Sequence, residues 1–324
     1  MIRIMTPSRL HFGLFAPRAT SGRRFGGLGM MVRAPGIDLT VARADRWTVA
    51  GSLAERGWKT LQRLTRQPEF QQCPPLEVKI HTAPPEHQGL GTGTQFDLAL
   101  ARGLAEFTLD TPHDAVPLAA LVGRGLRSAI GTHGFAQGGF LVDAGKREES
   151  PYPAPLLHRL PFPDAWRVLL LRPHYSQGPA DRSERDKFLA LPPDTTATTA
   201  ASCRLTLLTI LPALLEQDFA TFAEGIYEFN RLAGTMFAPV QGGLYTSTLT
   251  AHLVQLLRDW GYAGVGQSSW GPTVFVLTPG EGEAEALRER LRLVPELAEY
   301  EVLVTAGDNQ GATVTTHERA SVSS

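Results

Sequence analysis

Three glycines at alternate positions, Gly89, Gly91 and Gly93, stand between two segments of opposite periodicity, and no other feature restricts the fold as tightly. Upstream, residues 76–82 alternate, with Val78 and Ile80 set against Glu77, Lys79 and His81, the period-two pattern of a strand with one buried face. Downstream, Phe96, Leu100, Leu104 and Phe107 recur at helical spacing while Asp97, Arg102 and Glu106 face elsewhere. A strand, a flexible loop and the start of an amphipathic helix therefore follow one another. Such a loop presents backbone amides along the positive end of a helix dipole, a geometry that holds a phosphate. The same glycines equally suit a plain tight connection. The dipole contributes only about 0.3–1 kcal/mol, or ~2 when partly buried, so a pyrophosphate would require further cations. No Gly-Lys-Ser/Thr closes the loop, and it is not a dinucleotide fingerprint.

Composition narrows where those cations come from. Only four of the 31 basic residues are lysines (Lys59, Lys79, Lys146 and Lys187), and none lies in a glycine-rich segment, which leaves arginine forks and amides for any phosphate. Against 32 acidic residues the formal net charge is -1, which removes the broad basic surface of a nucleic-acid binder. Cys73 and Cys203 are too few for a disulfide framework or zinc cluster and read as thiols in a reducing compartment. No signal-peptide pattern opens the chain, and no uninterrupted apolar run approaches the ~20 residues of a membrane helix. A cytoplasmic protein with neither nucleic-acid nor membrane partners is expected.

The first half reads as strands at residues 2–6, 9–15, 37–42 and 76–82, then the helix after the glycine loop and a second helix at 118–128. A proline cluster from Pro151 to Pro163 places a domain boundary near 145–165. Beyond it come an apolar strand at 167–171, a polar segment at 176–199 expected to be a mobile loop, and helices at 205–217, 219–231 and 249–260. A strand at 274–277, a helix at 283–293 and a strand at 301–305 follow. Strands separated by helix pairs indicate an α+β sandwich. A polar tail, 315–324, is expected to be disordered.

Three further segments carry chemistry. In 7–15, the strand period puts Arg9 and His11 on one face opposite Leu10, Phe12 and Leu14, which suits a site floor, although either residue alone could be merely solvated. Residues 261–273 connect a helix to a strand with Gln267, Ser268, Ser269 and Trp270, longer than the usual 2–6 residues. Residues 131–143 hold His133, an acid/base candidate, and end in Asp143, readable as a turn residue or a catalytic carboxylate. Arg24 precedes another glycine-rich stretch, and Arg127 lies just upstream of His133.

Together these segments resemble the GHMP superfamily of small-molecule kinases. Pro7–Phe15 is similar to its first motif, Pro84–Thr94 to its Pro-x-x-x-Gly-Leu-Gly-Ser-Ser phosphate loop, and Ala263–Thr273 to its C-terminal glycine-rich motif. Within that superfamily the chain resembles the β-ribofuranosylaminobenzene (hydroxybenzene) 5′-phosphate synthase family over nearly its whole length to about Val314. The matching segments are Ser8–Leu14, Gly89–Gln95, Gly138–Asp143, Phe237–Gly243 and, most specific, Gly266–Thr273. Thr94-Gln95 after the loop, and Gln267 to Trp270 in place of a run of glycines, depart from the kinase pattern in the direction of that family.

The resemblance implies a two-domain GHMP-type α+β fold. A ribosomal-protein-S5-like α/β sandwich at 1–155 would precede a ferredoxin-like α+β sandwich at 156–314. It also implies a decarboxylating ribosyl transfer from 5-phosphoribosyl 1-diphosphate to 4-hydroxybenzoate or 4-aminobenzoate, releasing carbon dioxide and pyrophosphate, at the first committed step of tetrahydromethanopterin synthesis. Gly89, Gly91, Thr92, Gly93, Thr94, Gln95, Arg9, Arg24 and Arg127 would bind the donor, with Asp97 on the magnesium ion (Mg2+) that accompanies a diphosphate. His11 or His133 would serve as base and Asp143 would stabilise the oxocarbenium-like centre. Ser268, Ser269 or Gln241 would meet the benzoate carboxylate as neutral donors, because a tight arginine grip would oppose its loss, and Gln267 and Trp270 would also bind substrate, the indole by stacking on an aromatic or sugar ring. A homodimer is expected by analogy. An ATP-dependent kinase and a non-catalytic binder of the ribosyl donor are the competing readings.

Overall fold

In the computed structural model, residues 1–19, 22–108, 114–174, 181–193 and 196–317 are described, those at 181–185 by their backbone alone. Strands β1 (Ile2–Ala16) and β2 (Phe25–Arg43) pair antiparallel along almost their full length. Pro7, where the sequence suggested a break, is carried within β1 at a register irregularity between Thr6 and Ser8, and a second irregularity lies between His11 and Gly13. β3 (Thr48–Gly51) and β4 (Leu76–Thr82) extend the sheet beyond β2. On another stretch of β2, β5 (Phe140–Asp143) pairs and is joined in turn by β6 (Leu156–Leu160). Helices α1 (Ala54–Leu64), α2 (Thr92–Thr108), α3 (Ala115–Leu121) and α4 (Ile130–Gln137) belong to this half. Phe96, Leu100 and Leu104, the stripe read from the sequence, are fully buried on α2 against Ile4, Leu39, Val41 and Val78.

The second sheet has the order β10-β7-β9-β8, all antiparallel, from β7 (Arg167–Pro173), β8 (Val265–Gln267), β9 (Val274–Thr278) and β10 (Tyr300–Ala306). Between β7 and β8 run α5 (Asp181–Ala190), α6 (Thr196–Leu205), α7 (Leu211–Glu216), α8 (Phe219–Gln241) and α9 (Thr248–Asp259), and α10 (Glu281–Arg292) joins β9 to β10. Strand, helices, two strands, helix, strand in that spatial order is the ferredoxin-like α+β sandwich. The two sheets share one apolar core, in which Phe12 of β1 meets Phe275 of β9 edge-on at 5.1 Å and Phe140 meets Phe222 of α8 at 5.6 Å.

Several sequence expectations are corrected. The proline cluster bends the chain without ending the first sheet, since β6 lies inside it and pairs with β5. The tail begins later than residue 315, because β11 (Thr313–Thr316) returns to the edge of β1, placing Thr315 opposite Arg3. Its β-branched residues suit an edge strand despite their polarity, and residues 318–324 lie outside those described. Within the polar segment 176–199, α5 and the start of α6 are helical, and 175–180 and 194–195 lie outside the described residues. Helix 118–128 is shorter and earlier, as α3. Residues 196–216 form one helical run, through a π-helical turn at Thr206–Ile210, that by length and composition could cross a membrane. One face packs inward through Ser202, Thr206, Ile210 and Leu214, while Leu207, Leu208 and Leu215 are exposed on the other.

Candidate active site

The glycine-rich loop is fixed from both halves of the chain. Gly89 and Gly91 take positive φ of 82° and 70°, conformations that favour glycine. The backbone amide of Arg9 donates to the Leu90 carbonyl at 2.9 Å, laying the loop along β1. From the C-terminal half, Ser268 Oγ donates to the Gly89 carbonyl at 2.7 Å and accepts from the His11 amide at 3.1 Å, while the Ser269 amide donates to the His11 carbonyl at 3.0 Å. Gly271 lies so close that a Cβ there would come within 2.1 Å of the Gly89 nitrogen. Ser269 itself has φ 57°, a left-handed conformation unfavourable for serine that turns it into the opening between the halves.

Around Ser269 three compartments adjoin. The first is polar and lies over the start of α2, bounded by Arg9, Gly89, Gly91, Thr92, Gly93, Thr94, Arg56, Arg124, Glu86 and Trp270. The second is a shelf of residues 123–128, including Arg124, Arg127 and Ser128, facing Arg9, His11 and Thr94. The third is apolar, bounded by Leu14, Phe188, Phe237, Leu244, Tyr245 and Trp270, with His11, Gln241 and Gln267 in its wall. Ser269 borders all three, and Thr92 and Ser269 face the same cleft.

The arginines that a lysine-poor chain requires are Arg9, Arg56 and Arg124. Asp97 holds the last two: its Oδ2 accepts from Arg56 Nη2 and from Arg124 Nε, each at 2.7 Å, with Arg63 at 3.6 Å, and Oδ1 accepts from Thr60 Oγ1 at 2.8 Å. Asp97 is fully buried and its lone pairs face guanidinium groups. The expected magnesium ligand is therefore an arginine anchor. The only carboxylate bordering the polar compartment among the described residues, Glu86, is ion-paired with Arg56. The residues present do not fit a protein-held metal.

Other expected residues fall outside the cleft or have their polar atoms already committed within its wall. Asp143 is fully buried, accepting from Ser128 Oγ at 3.0 Å and from the amides of Ala129 at 2.9 Å and Gly145 at 3.0 Å; burial pushes its carboxyl up from the ordinary value. It braces the entry to α4 and does not border the cleft. His133 is buried beyond it, with Nε2 2.8 Å from the Ala154 carbonyl. Arg24 pairs with Glu148 at 2.5 Å, away from the cleft. Gln95 is buried beneath the loop, its Nε2 donating to the Gly131 carbonyl at 2.7 Å, so it ties α2 to α4. Ser268 is wholly occupied in joining the two loops. Gln267 borders the apolar compartment, but its Oε1 accepts from Thr246 and its Nε2 donates to the Ser269 carbonyl. Gln241 borders the same space and spends its Nε2 on the carbonyls of Gly243 and Leu244.

His11 is in the cleft, 5% exposed, and its Nε2 is buried with no hydrogen-bond partner. Burial, aided by the Arg9 charge, holds its basicity well below that of an ordinary imidazole, so the ring is neutral near pH 7. Trp270 Nε1 is likewise buried without a partner. Arg127 stacks on Phe188 with its guanidinium carbon 4.6 Å from the ring centroid. The sequence reading missed Arg56, Phe188 and Tyr245 as site residues. Arg56 sits on α1, a helix that was not foreseen, and the aromatic residues have no local signal, since only tertiary packing brings them to Trp270.

Comparison with known proteins fits this arrangement. A model of the GHMP kinases C terminal region matches residues 210–296. β-Ribofuranosylphenol 5′-phosphate synthase of Methanothermobacter thermautotrophicus is 30% identical, covering 95% of this chain and 97% of its own length. The protein of the same description from Archaeoglobus fulgidus is 28% identical over 97% of this chain and 99% of its own. Among solved structures, a putative homoserine kinase from Listeria monocytogenes superposes with TM-score 0.67 at 17% identity, covering 98% of this chain and 100% of its own. A mevalonate diphosphate decarboxylase from Enterococcus faecalis superposes with TM-score 0.64 at 14% identity, covering 98% and 99%. The structures share the GHMP fold alone, whereas the sequence match runs from end to end: this chain belongs to the β-ribofuranosylphenol 5′-phosphate synthase family.

Proposed function

We propose that this protein is a pentosyltransferase joining 5-phosphoribosyl 1-diphosphate to 4-hydroxybenzoate with loss of carbon dioxide and pyrophosphate, as its family membership suggests, at the first committed step of tetrahydromethanopterin synthesis. The phenol in the relatives' names favours the hydroxy acceptor over 4-aminobenzoate. One observation carries the reading: a glycine loop ringed by Arg9, Arg56 and Arg124 and an aromatic compartment open onto the same residue, Ser269, so a polyanionic donor and an aryl acceptor can meet. The amides of Thr92 and Gly93 with Arg9, Arg56 and Arg124 receive the diphosphate, where charge develops as the anomeric bond breaks. The shelf with Arg127 takes the 5-phosphate end. Any magnesium enters with the diphosphate. The oxocarbenium-like centre faces the leaving diphosphate and not Asp143. The two cysteines, unpaired, accord with the cytoplasm, and a homodimer is part of the same reading.

Incubation with phosphoribosyl diphosphate and carboxyl-labelled 4-hydroxybenzoate should release pyrophosphate and labelled carbon dioxide in equal amounts. ADP formed from ATP, with neither of those products, would instead establish a kinase.

A further inference from the structure

The donor is a polyanion, and it has no use for the apolar compartment behind Ser269. We propose that this compartment is the acceptor site, in which a monocyclic aromatic carboxylate lies ring-inward against Trp270 and Phe237, its carboxylate turned to the mouth toward His11 Nε2 and Trp270 Nε1. The inference rests on the ribosyl-transfer reading and adds the place and orientation of the acceptor.

The wall chemistry is the first support. Phe188, Phe237 and Trp270 form a mutual aromatic cluster with ring centroids 5.0–5.5 Å apart, a surface suited to a flat ring. The polar atoms are the second. Buried donors left without partners are costly, so they mark where the polar end of a ligand belongs. The other amides in the wall are already committed, Gln241 and Gln267 as described and Asn230 to the carbonyls of Phe12 at 2.7 Å and Gln267 at 2.9 Å. Among the buried side-chain nitrogens of the wall, His11 Nε2 and Trp270 Nε1 are the two without a partner. Position is the third. His11 borders both the apolar compartment and the arginine shelf, so it stands where the ring carbon and the anomeric carbon must approach.

Both groups are uncharged. They orient a carboxylate without the ground-state stabilisation that an arginine fork would give it against departure. In the step they serve, the anomeric C–O bond breaks with its electron pair on pyrophosphate. A ring π pair forms the new C–C bond at the carbon bearing the carboxylate. The bond from that carbon to the carboxylate then breaks, its pair restores the aromatic ring, and carbon dioxide leaves, with no net gain or loss of a proton.

Calorimetric titration of the full chain separates this site from the donor site. Phe237→Ala should weaken 4-hydroxybenzoate binding about tenfold or more and leave phosphoribosyl diphosphate within about twofold, and Arg124→Ala should do the reverse. Trp270→Phe, which keeps a ring and loses the N–H, should weaken benzoate binding and leave phenol, which has no carboxylate, unchanged. Unaltered 4-hydroxybenzoate affinity in Phe237→Ala, or equal weakening of benzoate and phenol in Trp270→Phe, would overturn the proposal. A wild-type chain that binds 4-hydroxybenzoate in this phenylalanine-dependent way but releases no carbon dioxide with the donor would defeat the ribosyl-transfer reading and leave the pocket standing.

Discussion

His11 can serve as an uncharged donor only while it stays unprotonated, and its surroundings enforce this. Burial comes first and the Arg9 charge second, with Arg124 and Arg127 across the shelf and Lys187 beyond Trp270 adding no anion to favour an imidazolium. Its folded basicity lies below the ordinary 6.5, so on acidification the unfolded chain takes the proton first. The stability due to this group is complete above that value and is lost progressively as pH falls toward the folded one. Urea midpoints should therefore decline below pH 6.5 in the wild type and decline less in His11→Gln. The acid limb of kcat/KM should sit well below 6.5, and a half-maximal rate at 6.5 would contradict the lowered basicity of the buried ring. Asp143 and Asp97 separate support from chemistry in the same way. Asp143→Ala leaves three donors unanswered and should cost about 1–3 kcal/mol of stability by denaturant titration, with donor KM unchanged. Asp97→Asn leaves Arg56 and Arg124 without their shared anion. A loss near 3 kcal/mol is expected, toward the low end for a broken buried pair because the arginines keep some solvent. Donor KM should rise while the magnesium concentration for half-maximal rate stays put.

At the scale of elements, the decisive contact is loop on loop. Gly271→Ala would drive a methyl group into the Gly89 backbone, so both substrates should bind more weakly in a protein that still folds, a result read by titrating each separately and by the melting transition. β4 and the buried stripe of α2 were legible because their periodicities are local and unbroken. α4 was hidden by glycines that suggest a loop. Gly134 is there for close packing, since a Cβ would lie 2.2 Å from Met31 Sδ, and no pattern in the sequence reveals that neighbour. The phosphate loop and the Gly266–Thr273 string were recognisable as motifs, and they do meet, but their division of labour was not. Ser268 was expected to face substrate and instead joins the loops, while its neighbour Ser269 turns outward because of one left-handed φ. Asp143 and Asp97 read as acids available for chemistry, and only the tertiary arrangement shows their oxygens already taken.

Over the whole molecule, the two sheets share a phenylalanine core, and the cleft lies along the seam where β1, the glycine loop and the C-terminal loop converge. A rigid seam fixes the distance between an anion site and an aromatic site, which is what a reaction between two substrates requires. That convergence is tested most directly by a crystal structure of the chain with phosphoribosyl diphosphate and benzoate, an acceptor lacking the activating para group. The expected result is a diphosphate on the Thr92 and Gly93 amides beside Arg124, with the benzoate ring against Trp270 and its carboxyl-bearing carbon nearest the anomeric centre. A donor bound away from Ser269, or a ring outside the compartment of Phe237 and Trp270, would contradict it.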